Sequence, residues 1–217
     1  MSQIYHLWNR GVDGRKIVLD DRDRVRFLRA LEMFNSKGKI RLSELDADFH
    51  EVLPREKLVS IFAYTLLDNH FHFCAKEKVE GGMTKFLRKL GTGYTLYFNL
   101  RHKRRGRLFE RKIQSKLIGN DQYFQHLIAY IHLNVLDAVC KDWRLGTQKS
   151  SEKIELMSGY RWSSAKSYLG IPDDSIIDFH ELSVVYPSDC FKQHKKYLKN
   201  WSSRNFHEVA PREEVEK

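Results

Sequence analysis

Leu66-Leu67-Asp68-Asn69-His70-Phe71-His72-Phe73-Cys74-Ala75 reads as the end of one strand, a tight Asp-Asn turn and a second strand with two histidines one residue apart. Side chains alternate faces along a strand. His70 and His72 therefore share one face, and Phe71, Phe73 and Ala75 take the other, which is expected to pack on a core. Residues 58–67, with Val59, Ile61, Phe62 and Tyr64, are β-rich and predict the antiparallel partner of a hairpin. Two neutral imidazoles side by side can ligate a divalent cation. A cation held so sparsely keeps positions open for a phosphate. The same spacing suits two histidines on a wet sheet face, so the choice between the two rests on the remainder of the chain.

The chain has 217 residues, 41% hydrophobic and 30% charged, enough for one domain with a real core, or for one domain plus an appended segment. A formal net charge of +10 favours a polyanionic partner, nucleic acid being the commonest. No apolar run has the length of a membrane span, the first residues lack a signal-peptide stretch, and no membrane partner is expected. Cys74, Cys140 and Cys190 are far apart and in no zinc-like spacing, which fits a reduced, cytoplasmic compartment.

Ile4 to Trp8 reads as a first strand, and residues 9–14 have turn chemistry. Asp20 to Asp23 look like the capped start of a helix whose apolar positions are Val25, Leu28, Leu31 and Phe34. Residues 36–57 are unpatterned, an insertion with room for a short helix near 42–49. Gly81-Gly82 ends the histidine strand, and Met83, Phe86, Leu87, Leu90, Tyr94, Tyr97 and Phe98 form a helical stripe in which Gly91 and Gly93 weaken the helix or permit close packing. Short strands are expected at 108–110 and 113–118. A further helix, 122–137, buries Phe124, Leu127, Ile128, Ile131 and Val135, with Tyr130 and Asn134 one turn apart on a neighbouring face. A basic-aromatic segment at 159–170 and a frayed charged tail from Glu208 complete the chain.

Residues 101–107 are the densest basic run. Such a run is either a solvated loop or a grip on phosphates. Tyr160, Trp162 and Tyr168 among Arg161 and Lys166 either stack on unpaired bases or pack the segment on the core.

Four pieces together resemble the single-tyrosine HUH transposases, in the branch called REP-associated tyrosine transposases. They are Asn9-Arg10-Gly11 followed by residues 17–23; Asn69-His70-Phe71-His72; Tyr130-Ile131-His132-Leu133-Asn134; and Tyr160-Arg161-Trp162-Ser163-Ser164. Asp68 and Val135 stand where that family usually has proline. The turn is expected to survive the first change, and the second lets the helix run on.

The resemblance implies an α/β (α+β) fold: a ferredoxin-like antiparallel sheet with helices packed on it over residues 1–140, and a mostly helical or irregular C-terminal extension over 141–217, packed to about 170–200. It implies Tyr130 as nucleophile; His70, His72 and Asn134 around Mg²⁺ or Mn²⁺; and cleavage and rejoining of single-stranded or hairpin DNA through a 5′-phosphotyrosine link, by a monomer or homodimer. Arg10, Arg101, Lys103, Arg104, Arg105, Arg107, Arg111, Lys112, Arg161 and Trp162 are the expected nucleic-acid contacts. Tyr123 is the alternative nucleophile, and Tyr94 and Tyr97 are expected in the core. His126 and His132 are expected on the helix surface. Cys74, in phase with the two histidines, reads as a buried small residue. Two rival readings stay open: a DNA- or RNA-hairpin-binding protein of the same fold without catalysis, and an unrelated metal-dependent hydrolase or RNA-binding protein.

Overall fold

Four strands form one antiparallel sheet: β1 (Ile4–Arg10), β2 (Val59–Leu66), β3 (His70–Glu77) and β4 (Gln114–Leu117), in the order β2-β3-β1-β4. The computed structural model describes residues 3–38, 56–140, 142–145, 148–170, 174–185 and 194–200. Most of the expected insertion, its short helix, Cys190 and the charged tail lie outside the described residues. With α1 (Asp21–Met33) between β1 and β2 and α2 (Gly82–Arg101) between β3 and β4, the chain follows the β-α-β-β-α-β course of a ferredoxin-like fold.

The two faces of β3 are divided as strand alternation requires. Phe71 packs on Phe27 of α1, with ring centroids 5.0 Å apart, and Phe73 on Phe86 of α2, at 6.0 Å. His70 and His72 face the other way, opposite Arg10 and Trp8 of β1. Helix α1 is capped as expected, Asp20 accepting from the Asp23 amide, but its buried stripe is Phe27, Ala30 and Leu31 rather than one through Val25, which is exposed. In α2 the buried positions are Met83, Phe86, Leu90, Tyr94 and Phe98. Gly93 is where Phe34 meets this helix: a Cβ there would stand 2.3 Å from the Phe34 ring.

Helix α3 (Asp121–Val139) lies over the histidine face of the sheet, and Thr65 Oγ1 donates to the Ile131 carbonyl at 2.7 Å. It runs through Val135 without a break. Its residues from Leu127 to Leu136 are all buried, because the segment that follows covers its outer side. That segment comprises α4 (Ser150–Gly159), α5 (Ala165–Tyr168), α6 (Phe179–Val185) and a last helix, α7, over 194–200. Residues 160–170 and 174–178 run along the outer edge of β2. The Tyr160 hydroxyl donates to the Leu66 carbonyl (2.8 Å), the Tyr168 hydroxyl to that of Phe62 (2.6 Å), and the Asp178 amide to that of Ile61 (2.9 Å). The edge strand's open carbonyls are satisfied this way. Sequence expected a strand at 108–110; Phe109 makes only an isolated bridge to Gly11. Among the described residues no helix is long and apolar enough to cross a membrane.

Candidate active site

The cavity sits where the C-terminal end of β1, the start of β3 and the middle of α3 converge. It has a volume of about 490 Å³ and is lined by Trp8, Asn9, Arg10, His70, His72, Glu110, Arg111, Gln114, Tyr130, Asn134, Asp137 and Arg144. Asn9 and Arg10 at the end of β1, with Gly11 after them, build one wall. Asn9 Nδ2 donates to the Arg111 carbonyl at 2.9 Å, and the Glu110 amide donates to the Arg10 carbonyl at 3.0 Å. At Gly11 a Cβ would stand 2.1 Å from the Arg15 carbonyl oxygen, so no larger residue fits. These bonds zip the end of β1 to residues 108–111 and hold Arg10 and Arg111, both exposed, at the rim.

The floor is made of imidazoles. His72 is 2% exposed, and its Nδ1 lies 3.0 Å from Nε2 of His6. Its Nε2 is buried with no hydrogen-bond partner. A buried polar atom left unpaired is costly unless a ligand completes it. Burial, with His6 and His70 beside it, holds the His72 pKa well below the ordinary value. His70 Nδ1 lies 2.7 Å from Asn69 Oδ1. Burial pushes its pKa down to about 4, Asp137 works against that shift, Arg10 adds to it, and a hydrogen bond with the Asn134 side chain raises it. Both histidines are thus neutral at pH 7 and carry lone pairs, as ligation requires.

Asn134 donates through Nδ2 to the Tyr130 carbonyl at 2.7 Å, which leaves its amide oxygen as the group that can act as a ligand. The Tyr130 ring meets the His72 ring edge-on, centroids 5.4 Å apart, and that of His6 at 6.0 Å. Tyr130, His70, His72 and Asn134 therefore surround one space. The donor set is sparse, two imidazoles and one amide, and among the described residues no three His, Cys, Asp or Glu side chains cluster to hold a metal. The orphaned His72 Nε2 and the neutral His70 fit a weakly held divalent cation with open positions.

The remaining expected residues are scattered. Arg101 is committed to Asp20 (2.6 Å) and to the buried Asp23, where it ties the end of α2 to the start of α1. Arg104 donates to Asn99 and lies over the Phe98 ring. Lys103, Arg105, Arg107 and Lys112 are exposed. Trp162 is 9% exposed, with Arg161 and Arg24 over its ring, and its carbonyl accepts from the Leu66 amide, so it packs against the fold. Cys74 is buried. Lys116 stands over the Tyr123 ring, which lies outside the cavity lining. His132, expected on the surface, is buried, its Nδ1 3.0 Å from His194 Nε2 and its Nε2 2.9 Å from Ser164 Oγ, because the C-terminal segment covers that side of α3.

Sequence reasoning missed His6, Trp8, Asp137 and Arg144. Asp137 accepts from Trp143 Nε1 at 2.8 Å and pairs with Arg144 at 2.6 Å, closing one end of the cavity. Only His6 carried a usable signal: it is in phase with Trp8 and Arg10 on a strand that must pair near the histidines.

No protein-family model and no curated protein matches the chain. Among solved structures it is similar to a REP-associated tyrosine transposase bound to a REP hairpin, with 11% sequence identity and a TM-score of 0.49, over 81% of this chain and 83% of that one.

Proposed function

We propose that this protein cleaves and rejoins single-stranded DNA beside a hairpin, with Tyr130 as the nucleophile and Mg²⁺ or Mn²⁺ held by His70, His72 and Asn134. The reading is carried by one observation: a buried histidine nitrogen without a partner, in the same cavity as a tyrosine one helical turn from an amide. The motif order along the sequence and the +10 charge support it.

Arg10 and Arg111 at the rim hold the backbone on either side of the reacting phosphate. Tyr130 Oη attacks the phosphorus, the bond from phosphorus to the 3′ oxygen breaks, the phenol loses its proton, and the leaving oxygen gains one to become a 3′-hydroxyl. The 5′ end stays on Tyr130 as a phosphotyrosine, and attack by a 3′-hydroxyl reverses the step. A phenol ionises near a pKa of about 10, so Tyr130 needs help to deprotonate. When bound, the cation would polarise the phosphate and stabilise the charge developing on it.

The sparse donor set favours a second reading, a hairpin-binding protein of the same fold without catalysis. A labelled single-stranded oligonucleotide carrying a hairpin from DNA flanking the coding sequence separates the two. With Mn²⁺ or Mg²⁺, denaturing gels should show a covalent protein–DNA band that is absent in Tyr130→Phe and in His70→Ala. A retarded complex on native gels with no covalent band establishes the second reading. A covalent band that survives Tyr130→Phe removes Tyr130 as nucleophile and makes Tyr123 the next variant.

A further inference from the structure

The third imidazole of the floor has no place in that scheme. His6 lies on β1, fully buried, its Nε2 3.0 Å from Nδ1 of His72. Its ring is stacked against those of His72 (5.3 Å) and Trp8 (4.6 Å), which leaves it little freedom to turn. Two neutral imidazoles in such contact share one hydrogen. If His6 Nε2 carries it, the one hydrogen of His72 must sit on Nε2, where it would be a buried N–H with nothing to donate to. If His72 Nδ1 carries it, His72 Nε2 presents a lone pair to the cavity, and the hydrogen of His6 sits on its own Nδ1. Burial alone favours neither arrangement, since the hydrogen that the second puts on His6 Nδ1 is as buried as the one that the first puts on His72 Nε2. Only the second leaves a lone pair on the His72 nitrogen toward the cavity, and a cation bound there selects it.

We infer that His6 is a positioning residue which, as the acceptor for His72 Nδ1–H, fixes His72 in the ring form whose Nε2 can ligate a cation. This rests on the cation-binding part of the proposed function, and it goes further by assigning a residue outside the motif. Ligating histidines commonly have the second ring nitrogen held by an acceptor that sets the tautomer. Here that acceptor is another imidazole in place of a carboxylate or carbonyl. The contact makes His72 a better ligand without adding charge to the floor.

Two measurements on the full chain test it. Long-range ¹⁵N–¹H correlation spectra of the metal-free protein at pH 7 should show His72 protonated at Nδ1 and bare at Nε2. Mn²⁺ titration, followed by the electron paramagnetic resonance of free Mn²⁺, should show affinity weakened about 10- to 100-fold in His6→Phe, the loss typical of removing an outer partner of a ligating histidine. His6→Gln, whose amide oxygen reaches the place of Nε2, should recover most of it. A His72 protonated at Nε2 in the wild type overturns the inference, as does a folded His6→Phe that binds Mn²⁺ as tightly as wild type. Should His6→Phe fail to fold, the wild-type spectra and His6→Gln decide. Absence of Mn²⁺ binding to the wild type would overturn the cation-dependent function, while the nitrogen shifts of His72 would still decide the role of His6.

Discussion

His72 and His132 sit in nearly matched surroundings and do different things. Both are buried, and each touches another imidazole through Nδ1. At His132 the second nitrogen meets Ser164 Oγ, so both ring nitrogens are engaged and the residue is a strut between α3, α5 and α7. At His72 the second nitrogen meets only the cavity. The strut has a measurable consequence. Burial drives the His194 pKa down to about 3 and that of His132 well below the ordinary 6.5. Below pH 6.5 the unfolded chain takes up protons that the folded chain refuses. Stability is therefore full above that pH and falls as pH drops toward about 3, by roughly 1.4 kcal/mol per pH unit for each such histidine. Urea unfolding between pH 7.5 and 4.5 should show this slope, and His194→Phe should flatten it. An unchanged slope in that variant would mean that His194 is protonated in the fold.

At the scale of elements, α1, α2 and the hairpin were legible because their signals are local. Period-2 alternation put Phe71 and Phe73 opposite the histidines, and period-3.6 spacing gave most of the buried stripe of α2. The reading failed where burial is decided by partners distant in sequence. The side chains of Tyr130, His132 and Asn134 are buried by the sheet on one side and the C-terminal segment on the other, and nothing within α3 announces this. Arg101 reads as part of a basic run until Asp20 and the buried Asp23 are found against it. The four motif residues of the candidate site could be named from their order, and His6 offered its phase on β1, but Asp137 and Arg144 could not be named, since their roles exist only once the end of α3 stands beside β3. The contact between α1 and α2 supplies a further prediction. Glycine inside a helix costs about 1 kcal/mol relative to alanine, so Gly93→Ala ought to stabilise α2 by itself. A Cβ there would lie 2.3 and 2.5 Å from two carbons of the Phe34 ring, which is buried. Overpacking of this kind costs about 1–3 kcal/mol, enough to win. Gly93→Ala should lower the denaturation midpoint, and Gly93→Ala with Phe34→Leu should restore part of the loss. A stabilised single variant would show that the two helices can separate at no cost.

The net charge of +10 belongs to the whole molecule, but its basic residues divide into two groups that a binding experiment can tell apart. Arg101 is spent inside the fold, on carboxylates that fix where α2 ends. Arg105, Arg107, Lys112 and the rim residues Arg10 and Arg111 are exposed, the first three in or beside the loop that runs from α2 to the cavity. A cation that contacts a phosphate releases counterions, so each such contact adds about 0.7 (single strand) to 0.9 (duplex) to the slope of log affinity against log salt. A hairpin whose stem lies on this loop should bind with a steep slope. Arg105→Ala and Arg107→Ala should each reduce it by nearly one, with the melting temperature unchanged. Arg101→Ala should do the reverse, leaving the slope alone and costing stability, because Asp23 would keep a buried charge with fewer partners. Slopes that fall equally for all three would mean that the Arg101 ion pairs open when DNA binds. A slope unaffected by Arg105 and Arg107 would move the DNA path off this loop and onto the cavity rim, where Arg10→Ala and Arg111→Ala would then carry the whole dependence.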